Sequence, residues 1–179
     1  MEKGKYTIEK STVECYKIRH ESGMYWADIT VDSMGNKGRI SISSDFGNYA
    51  NFWGACGHSF KEFLTELNLY YAADKFGADK WFDLDKTING YKQRVLEQRR
   101  NDEINEVFAR EIWDEIKELD QSSSKGEFEG MIWNSPKILS FFDHCPEMNY
   151  GITPQFKRLW STVWQIFIET IKLEISQSK

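Results

Sequence analysis

The sequence has few prolines and cysteines, no basic excess and no long apolar run, and each shortage excludes a class of protein. Three prolines and 12 glycines in 179 residues are too few for a disordered or collagen-like chain. Three cysteines without framework spacing do not fit a disulfide-rich secreted domain, so we expect reduced thiols. A formal net charge of −5 disfavours broad nucleic-acid binding.

Membrane and secretory signals are also missing from the sequence. No apolar run approaches the roughly 20 residues that span a bilayer, and the opening MEKGKYTIEK has no apolar centre. Aromatic residues, by contrast, make up 15% of the chain, which is enough for a sizeable core without a metal or disulfide. We therefore predict a single domain over residues 1–179, located in the cytoplasm and without membrane contact.

The first third of the chain shows the alternation that is typical of β-strands. Residues 6–19 favour a strand by composition, and residues 24–32 and 39–44 alternate between apolar and polar side chains. Residues 49–53 predict a further short strand. Residues 1–57 are therefore predicted to be mainly β, as an antiparallel sheet of three to four strands.

In the remainder of the chain, apolar residues recur at helical spacing. Ser59-Phe60-Lys61-Glu62 has the capping-box pattern of a helix start, and this helix is predicted to continue to Gly77. A second helical region covers residues 84–119, with a break expected at 99–102. Residues 58–179 are thus predicted to be mainly α. The fold class is α+β, an N-terminal antiparallel β-sheet followed by a mainly α-helical C-terminal part.

Two pairs of residues that end in proline predict later helix starts. Ser135-Pro136 places an N-cap before a proline at the first helical position, and Thr153-Pro154 repeats the pattern. The helix after Thr153 is apolar nearly all round, from Trp160 to Ile168. It is therefore either a central core helix or a helix shared with a second copy of the chain, which leaves a homodimer open.

Asp45-Phe46-Gly47 is the tripeptide that holds magnesium in protein kinases. The sequence has no glycine-rich phosphate loop, no strand lysine with a partner glutamate and no catalytic loop to accompany it. We interpret the tripeptide as a corner between two strands. In that corner Gly47 adopts a positive φ and the Asp45 side chain caps the turn.

Cysteine and histidine pairs are the remaining candidates for catalysis or metal binding. Cys56 and His58, with His144 and Cys145, offer the donors that zinc prefers, but at spacings unlike those of common zinc sites. A cysteine nucleophile rarely has the required geometry with a histidine adjacent in sequence. We predict inert thiols, no enzyme activity, no catalytic residue and no cofactor, with a zinc-dependent enzyme as an alternative.

Charged helix residues supply two candidate interaction surfaces. The basic cluster can track a phosphate backbone, although neighbouring acidic residues favour a surface ion-pair network. It consists of Tyr91, Lys92, Arg94, Arg99 and Arg100. The acidic set can occupy a positively charged channel of another protein. It consists of Asp102, Glu103, Glu106, Asp114, Glu115 and Glu118.

One segment, from His20 to Leu64, combines a strand hairpin, the corner Ser44-Asp45-Phe46-Gly47-Asn48, the pair Trp53-Gly54 and a helix that opens with Ser59-Phe60-Lys61-Glu62. This block resembles one that is common in small phage and prophage accessory proteins. The motif is structural, so the resemblance carries over no catalytic residue. It implies a phage-encoded protein. Small acidic phage proteins without catalytic signatures often disarm host defence by binding a host enzyme, and anti-CRISPR proteins are the best-described class.

The leading hypothesis is therefore an anti-CRISPR-like inhibitor in the cytoplasm of a bacterial host. It is expected to bind a CRISPR-associated nuclease, or its ribonucleoprotein complex, through the acidic set and to block DNA loading or cleavage. The alternative is a phage accessory protein that binds nucleic acid through the basic cluster.

Overall fold

The computed structural model describes residues 7–178 and divides the chain into two compact units. Unit 1 is formed from residues 1–79 and 152–179, and unit 2 from residues 80–151. Residue 6, the first of the segment predicted as a strand, lies outside the described residues. The prediction of a single domain stays a prediction, since a division by packing does not report on the cooperativity of folding.

A four-stranded antiparallel sheet opens unit 1, as predicted. Its strands are β1 (Glu14–Ile18), β2 (Ala27–Ser33), β3 (Gly38–Ser44) and β4 (Gly47–Trp53), paired in sequence order. The apolar side chains of β2 and β3 are buried, and polar side chains alternate with them on the opposite face. β1 is shorter than predicted because its pairing partner, β2, ends soon after the residue that faces Glu14.

The corner between β3 and β4 confirms the structural interpretation of Asp45-Phe46-Gly47 but corrects the role of Asp45. Gly47 has a φ of +113°, which favours glycine. The Ser44 hydroxyl closes the turn, because it accepts from Phe46 N at 3.2 Å and donates to Gly47 O at 2.8 Å. The Asp45 carboxylate instead accepts from Trp26 N at 3.3 Å. The prediction that Asp45 caps its own turn is wrong, since its side chain reaches across to the neighbouring strand.

Eight helices and two short strands follow within residues 54–178, which confirms the mainly helical C-terminal part and the α+β fold class. In chain order they are α1 (Phe60–Glu66), α2 (Leu69–Lys75), β5 (Lys80–Phe82), α3 (Leu84–Arg100), α4 (Glu106–Leu119), α5 (Lys125–Trp133), α6 (Pro136–Phe141), β6 (Tyr150–Ile152), α7 (Pro154–Ser161) and α8 (Val163–Gln177).

Two helices that were predicted to be continuous are interrupted. Between α1 and α2, Leu67 has a ψ of 134°, and the Asn68 side chain starts a new helix by accepting from Tyr71 N at 3.0 Å. Between α7 and α8, Thr162 has a φ of −117° and a ψ of −93°. Apolar spacing alone does not show these breaks, because both helices of each pair face the same core.

Helix α8 contributes to the core of unit 1. Trp164, Phe167 and Ile171 are at most 2% exposed and belong to the same hydrophobic cluster as the sheet. The interpretation as a core helix is therefore confirmed for this face. Ile166 and Leu173 are 51% and 62% exposed, and the homodimer through this helix stays a prediction.

Unit 2 has a core of its own, to which α3, α4, α5 and α6 contribute. The break predicted near residues 99–102 is confirmed and falls at 101–105. Helix α5 is not among the predicted elements, and it begins where the Ser124 hydroxyl accepts from Glu127 N at 3.2 Å. The Ser135 side chain is not the cap of α6 that the sequence predicts, because its hydroxyl donates to Met131 O at 2.9 Å.

Candidate functional site

The formal net charge of the chain resides in unit 2. Residues 80–151 contain ten Lys and Arg against fifteen Asp and Glu, so unit 2 accounts for the whole charge of −5 and unit 1 is formally neutral. Such segregation creates a negative field that acts over roughly one Debye length, about 8 Å at physiological salt. The net negative field of the protein therefore originates in unit 2.

Three of the predicted acidic residues lie at the corner between α3 and α4. Asp102 has a φ of +58°, and its side chain is 94% exposed. Glu103 accepts from Asn101 Nδ2 at 3.3 Å, and Glu106, in the first turn of α4, pairs with Arg110 at 2.6 Å. All three acidic residues are exposed. We call Asp102, Glu103 and Glu106 the acidic corner.

The other three acidic residues belong to α4 and differ in their contacts. Asp114 pairs with a lysine of the same helix at 2.8 Å, and Glu118 is exposed. Glu115 is half-buried, and its carboxylate accepts from Lys137 N at 3.2 Å and from Ile138 N at 2.9 Å. Glu115 therefore caps α6, whereas Asp114 and Glu118 stay candidates for contact with a partner protein.

Two members of the predicted basic cluster belong to the packing of unit 2. Tyr91 is 3% exposed, and burial raises the pKa of its hydroxyl. The Arg94 guanidinium lies 5.1 Å from the centre of the Phe142 ring, itself part of the core. A buried tyrosine has no free face on which a nucleic-acid base can stack.

The other three basic residues have different surroundings. Lys92 pairs with Asp120 at 3.1 Å, and Arg99 donates to Ile104 O at 2.7 Å across the break between α3 and α4. Arg100 is exposed. The cluster thus does not form one exposed basic surface, and its use in nucleic-acid binding stays a prediction.

The cysteine and histidine pairs belong to different units. Cys56 and His58 are part of unit 1, and His144 and Cys145 are part of unit 2. Among residues 7–178, no three His, Cys, Asp or Glu side chains are grouped so that they could hold a metal ion. Burial raises the pKa of the Cys56 thiol, which is opposite to what an activated nucleophile needs. The geometry therefore gives no support to the zinc alternative or to this nucleophile.

A groove that the sequence did not indicate lies in unit 2. It has a volume of about 470 Å³ and is lined by β5, residues 122–125 and Tyr150. Lys125 Nζ lies 5.7 Å from the centre of the Tyr150 ring. Hydrogen bonds to Glu129 and then to Tyr150 raise the pKa of Lys125. The lining residues come from three separate parts of the chain, so the sequence gives no signal for the groove.

Comparison with known protein families gives a match over most of the chain. The Phage_phiTE_072 model, described as a phage family, matches residues 6–172. The chain belongs to this phage family. No curated protein and no solved structure matches.

The match covers all of unit 2 and most of unit 1 of this phage protein, including the sheet and most of α8. It confirms the phage character that the block from His20 to Leu64 predicted. The description of the family names no activity, so it transfers neither a target nor a site residue. Within residues 7–178, no helix combines the length and the apolar character that crossing a membrane requires.

Proposed function

We propose that this phage protein is a non-enzymatic inhibitor of a host defence nuclease, most specifically an anti-CRISPR protein that binds a Cas effector or its ribonucleoprotein complex. It would act in the cytoplasm of the bacterial host and block DNA loading or cleavage. The observation that carries the proposal is the confinement of the net charge of −5 to unit 2.

The binding surface that we propose is the acidic corner together with the exposed side of α4. A channel that binds nucleic acid carries positive charge, so exposed carboxylates are attracted to it and compete with phosphates. Val107 of α4 is 69% exposed and can add an apolar contact among these charges.

The non-enzymatic part of the proposal rests on the contacts of the α4 carboxylates. Glu106 and Asp114 pair with basic residues of their own helix, and Glu115 caps α6. A general acid or base must instead reach the proton of a bound substrate. These contacts support a role of the carboxylates in surface charge and helix stability rather than in proton transfer.

The test is co-purification of the full chain with a panel of Cas effectors, followed by DNA-binding and cleavage assays on each effector. We expect stable binding to at least one effector, with loss of DNA loading or of cleavage. Absence of both binding and protection across the panel contradicts the proposal.

A matched pair of variants locates the surface. The unit 2 variant combines Asp102→Asn, Glu103→Gln and Glu118→Gln. The control removes three exposed carboxylates of unit 1 and combines Glu21→Gln, Asp74→Asn and Glu169→Gln. We expect the unit 2 variant to bind the effector about tenfold more weakly, with a larger effect at low salt, because screening weakens surface charges. An equal loss of effector binding in both variants would contradict the assignment of the surface to unit 2.

A further inference from the structure

The groove of unit 2 presents two aromatic rings to solvent. Trp81 is 56% exposed and Tyr150 is 39% exposed, and both line the cavity of about 470 Å³. Phe82 lies behind Tyr150 with a ring-centre distance of 6.3 Å, and it packs on the buried Phe128 at 4.9 Å. The Tyr150 side of the groove is therefore supported by the core, and the uncovered rings offer stacking surfaces for a planar ligand.

Two lysines line the groove and can bind an anionic group. Lys80 lines the groove and makes no salt bridge within residues 7–178. Lys125 also lines it and pairs with Glu129 at 3.2 Å. The other carboxylate of this segment, that of Glu127, accepts from Ser123 N at 2.7 Å and from Ser123 Oγ at 2.6 Å. The carboxylates of Glu127 and Glu129 are thus engaged by protein groups, and within residues 7–178 Lys80 has no acidic partner.

A buried hydroxyl without a hydrogen-bond partner also lines the groove within the described residues. Ser122 lines the groove and is 7% exposed, and within the described part of the chain its Oγ has no hydrogen-bond partner. An unpaired buried hydroxyl is unfavourable. A ligand group that forms a hydrogen bond with Ser122 would remove this penalty.

We propose that the groove binds a nucleoside monophosphate, with its base stacked on Trp81 and its phosphate bound by Lys80 and Lys125. A free nucleotide suits unit 2 better than a nucleic-acid strand, because a net charge of −5 repels the many phosphates of a strand more strongly than the single phosphate that the two lysines can bind. The groove shares no residue with the acidic corner, so nucleotide binding and nuclease inhibition can be measured independently.

The test is isothermal titration of the full chain with each of the four ribonucleoside monophosphates. Adenosine, inorganic phosphate and a short single-stranded DNA serve as comparators. We expect saturable binding of at least one monophosphate. If AMP binds, we expect adenosine and phosphate to bind more weakly than AMP, since each supplies only part of the contacts.

Matched variants test the two kinds of contact. Trp81→Ala should weaken nucleotide binding about tenfold or more, the change expected from losing one base–aromatic stack. Trp133→Ala is its control, because Trp133 is 71% exposed and does not line the groove. Lys80→Gln should also weaken monophosphate binding, whereas Lys86→Gln, an exposed lysine outside the groove, should not.

Three outcomes overturn the proposal. The first is no saturable binding of any monophosphate. The second is an equal effect of Trp81→Ala and Trp133→Ala, or of Lys80→Gln and Lys86→Gln, with thermal melts showing that the variants fold. The third is binding of the DNA strand alone, which would assign the groove to nucleic acid instead of a free nucleotide.

Discussion

At the scale of single residues, Gly38 shows how closely the sheet and a helix approach each other in unit 1. It begins β3, where it pairs with Trp53 of β4. A Cβ atom on Gly38 would overlap the ring of Phe60, the first residue of α1, and Phe60 is fully buried. Space, and not a positive φ, is therefore the reason that glycine fits this position.

We expect Gly38→Ala to lower the free energy of unfolding by about 1–3 kcal/mol, because a buried ring in a packed core cannot move aside without strain. Gly126→Ala is the control. Gly126 lies in α5, where a Cβ meets nothing within 4 Å, so alanine should be neutral or stabilising by up to about 1 kcal/mol. Urea unfolding followed by circular dichroism measures both changes. A Gly38→Ala protein as stable as the wild type would show that the ring has room to shift.

At the scale of helices, the start of α6 depends on a side chain from α4. The Glu115 carboxylate accepts from two backbone amides in the first turn of α6, while the Ser135 hydroxyl donates to a carbonyl behind it. A carboxylate at a helix N-terminus satisfies orphan amides and also interacts favourably with the helix dipole.

Glu115→Ala should therefore cost about 1–2 kcal/mol of unfolding free energy, which is the range for losing a helix cap. Glu118→Ala, three residues along the same helix and exposed, should change stability by less than about 0.5 kcal/mol. Chemical unfolding of the two variants measures the difference. Equal stabilities would mean that water replaces the Glu115 carboxylate at no cost.

Two of the three predicted helix caps form as the local sequence indicates, whereas the third is replaced by a contact from a distant residue. Ser59 and Thr153 cap as predicted, since each hydroxyl accepts from the amide three residues later, at 3.3 Å. Ser135 has the same local pattern, but Glu115 caps in its place. The helix breaks at Asn68 and Thr162 were not predicted either, because the apolar spacing continues across them.

At the scale of the whole molecule, composition indicated the acidic surface but not where the charge is concentrated. Only the structure shows that residues 80–151 form a separate unit, and therefore that unit 2 carries the whole net charge. The groove could not be predicted at all, because Trp81, Ser122 and Tyr150 are brought together by folding. Tyr91 is the opposite case, because its basic neighbours in the sequence suggested a surface residue, whereas the structure buries it.

One lysine in unit 1 forms ion pairs with residues near both ends of the chain. Lys61 Nζ of α1 pairs with Glu14 of β1 at 2.5 Å and with Glu174 of α8 at 2.8 Å, and the Tyr16 hydroxyl contacts the same two carboxylates. The hydrogen bond from Lys61, followed by that from Tyr16, lowers the pKa of Glu14. Burial acts to lower the pKa of Lys61, but its hydrogen bonds to Glu14, Glu174 and Tyr16 outweigh burial and raise it.

These shifts predict how the lysine contributes to stability as the pH changes. A carboxyl with a lowered folded pKa stabilises the fold above its unfolded value, 4.5 for Glu14, and loses that contribution as the pH falls through the folded value. A lysine with a raised folded pKa contributes fully below its unfolded value, 10.5 for Lys61, and loses that contribution as the pH rises through the folded value. Both contributions are therefore present near neutral pH.

We expect Lys61→Met to lower the free energy of unfolding by about 1 kcal/mol near neutral pH, a modest amount because the Glu14 side chain is 53% exposed and screened by solvent. The difference from the wild type should shrink as the pH falls from 4.5 through the lowered pKa of folded Glu14, where the folded carboxylate also becomes protonated. Lys75→Met, which removes an exposed pair with Asp74, should show almost no difference at either pH. Urea unfolding of the three proteins at neutral and acidic pH measures this. A Lys61→Met deficit that persists unchanged in acid would mean that the lysine acts through its packed methylene groups, and not through its charge.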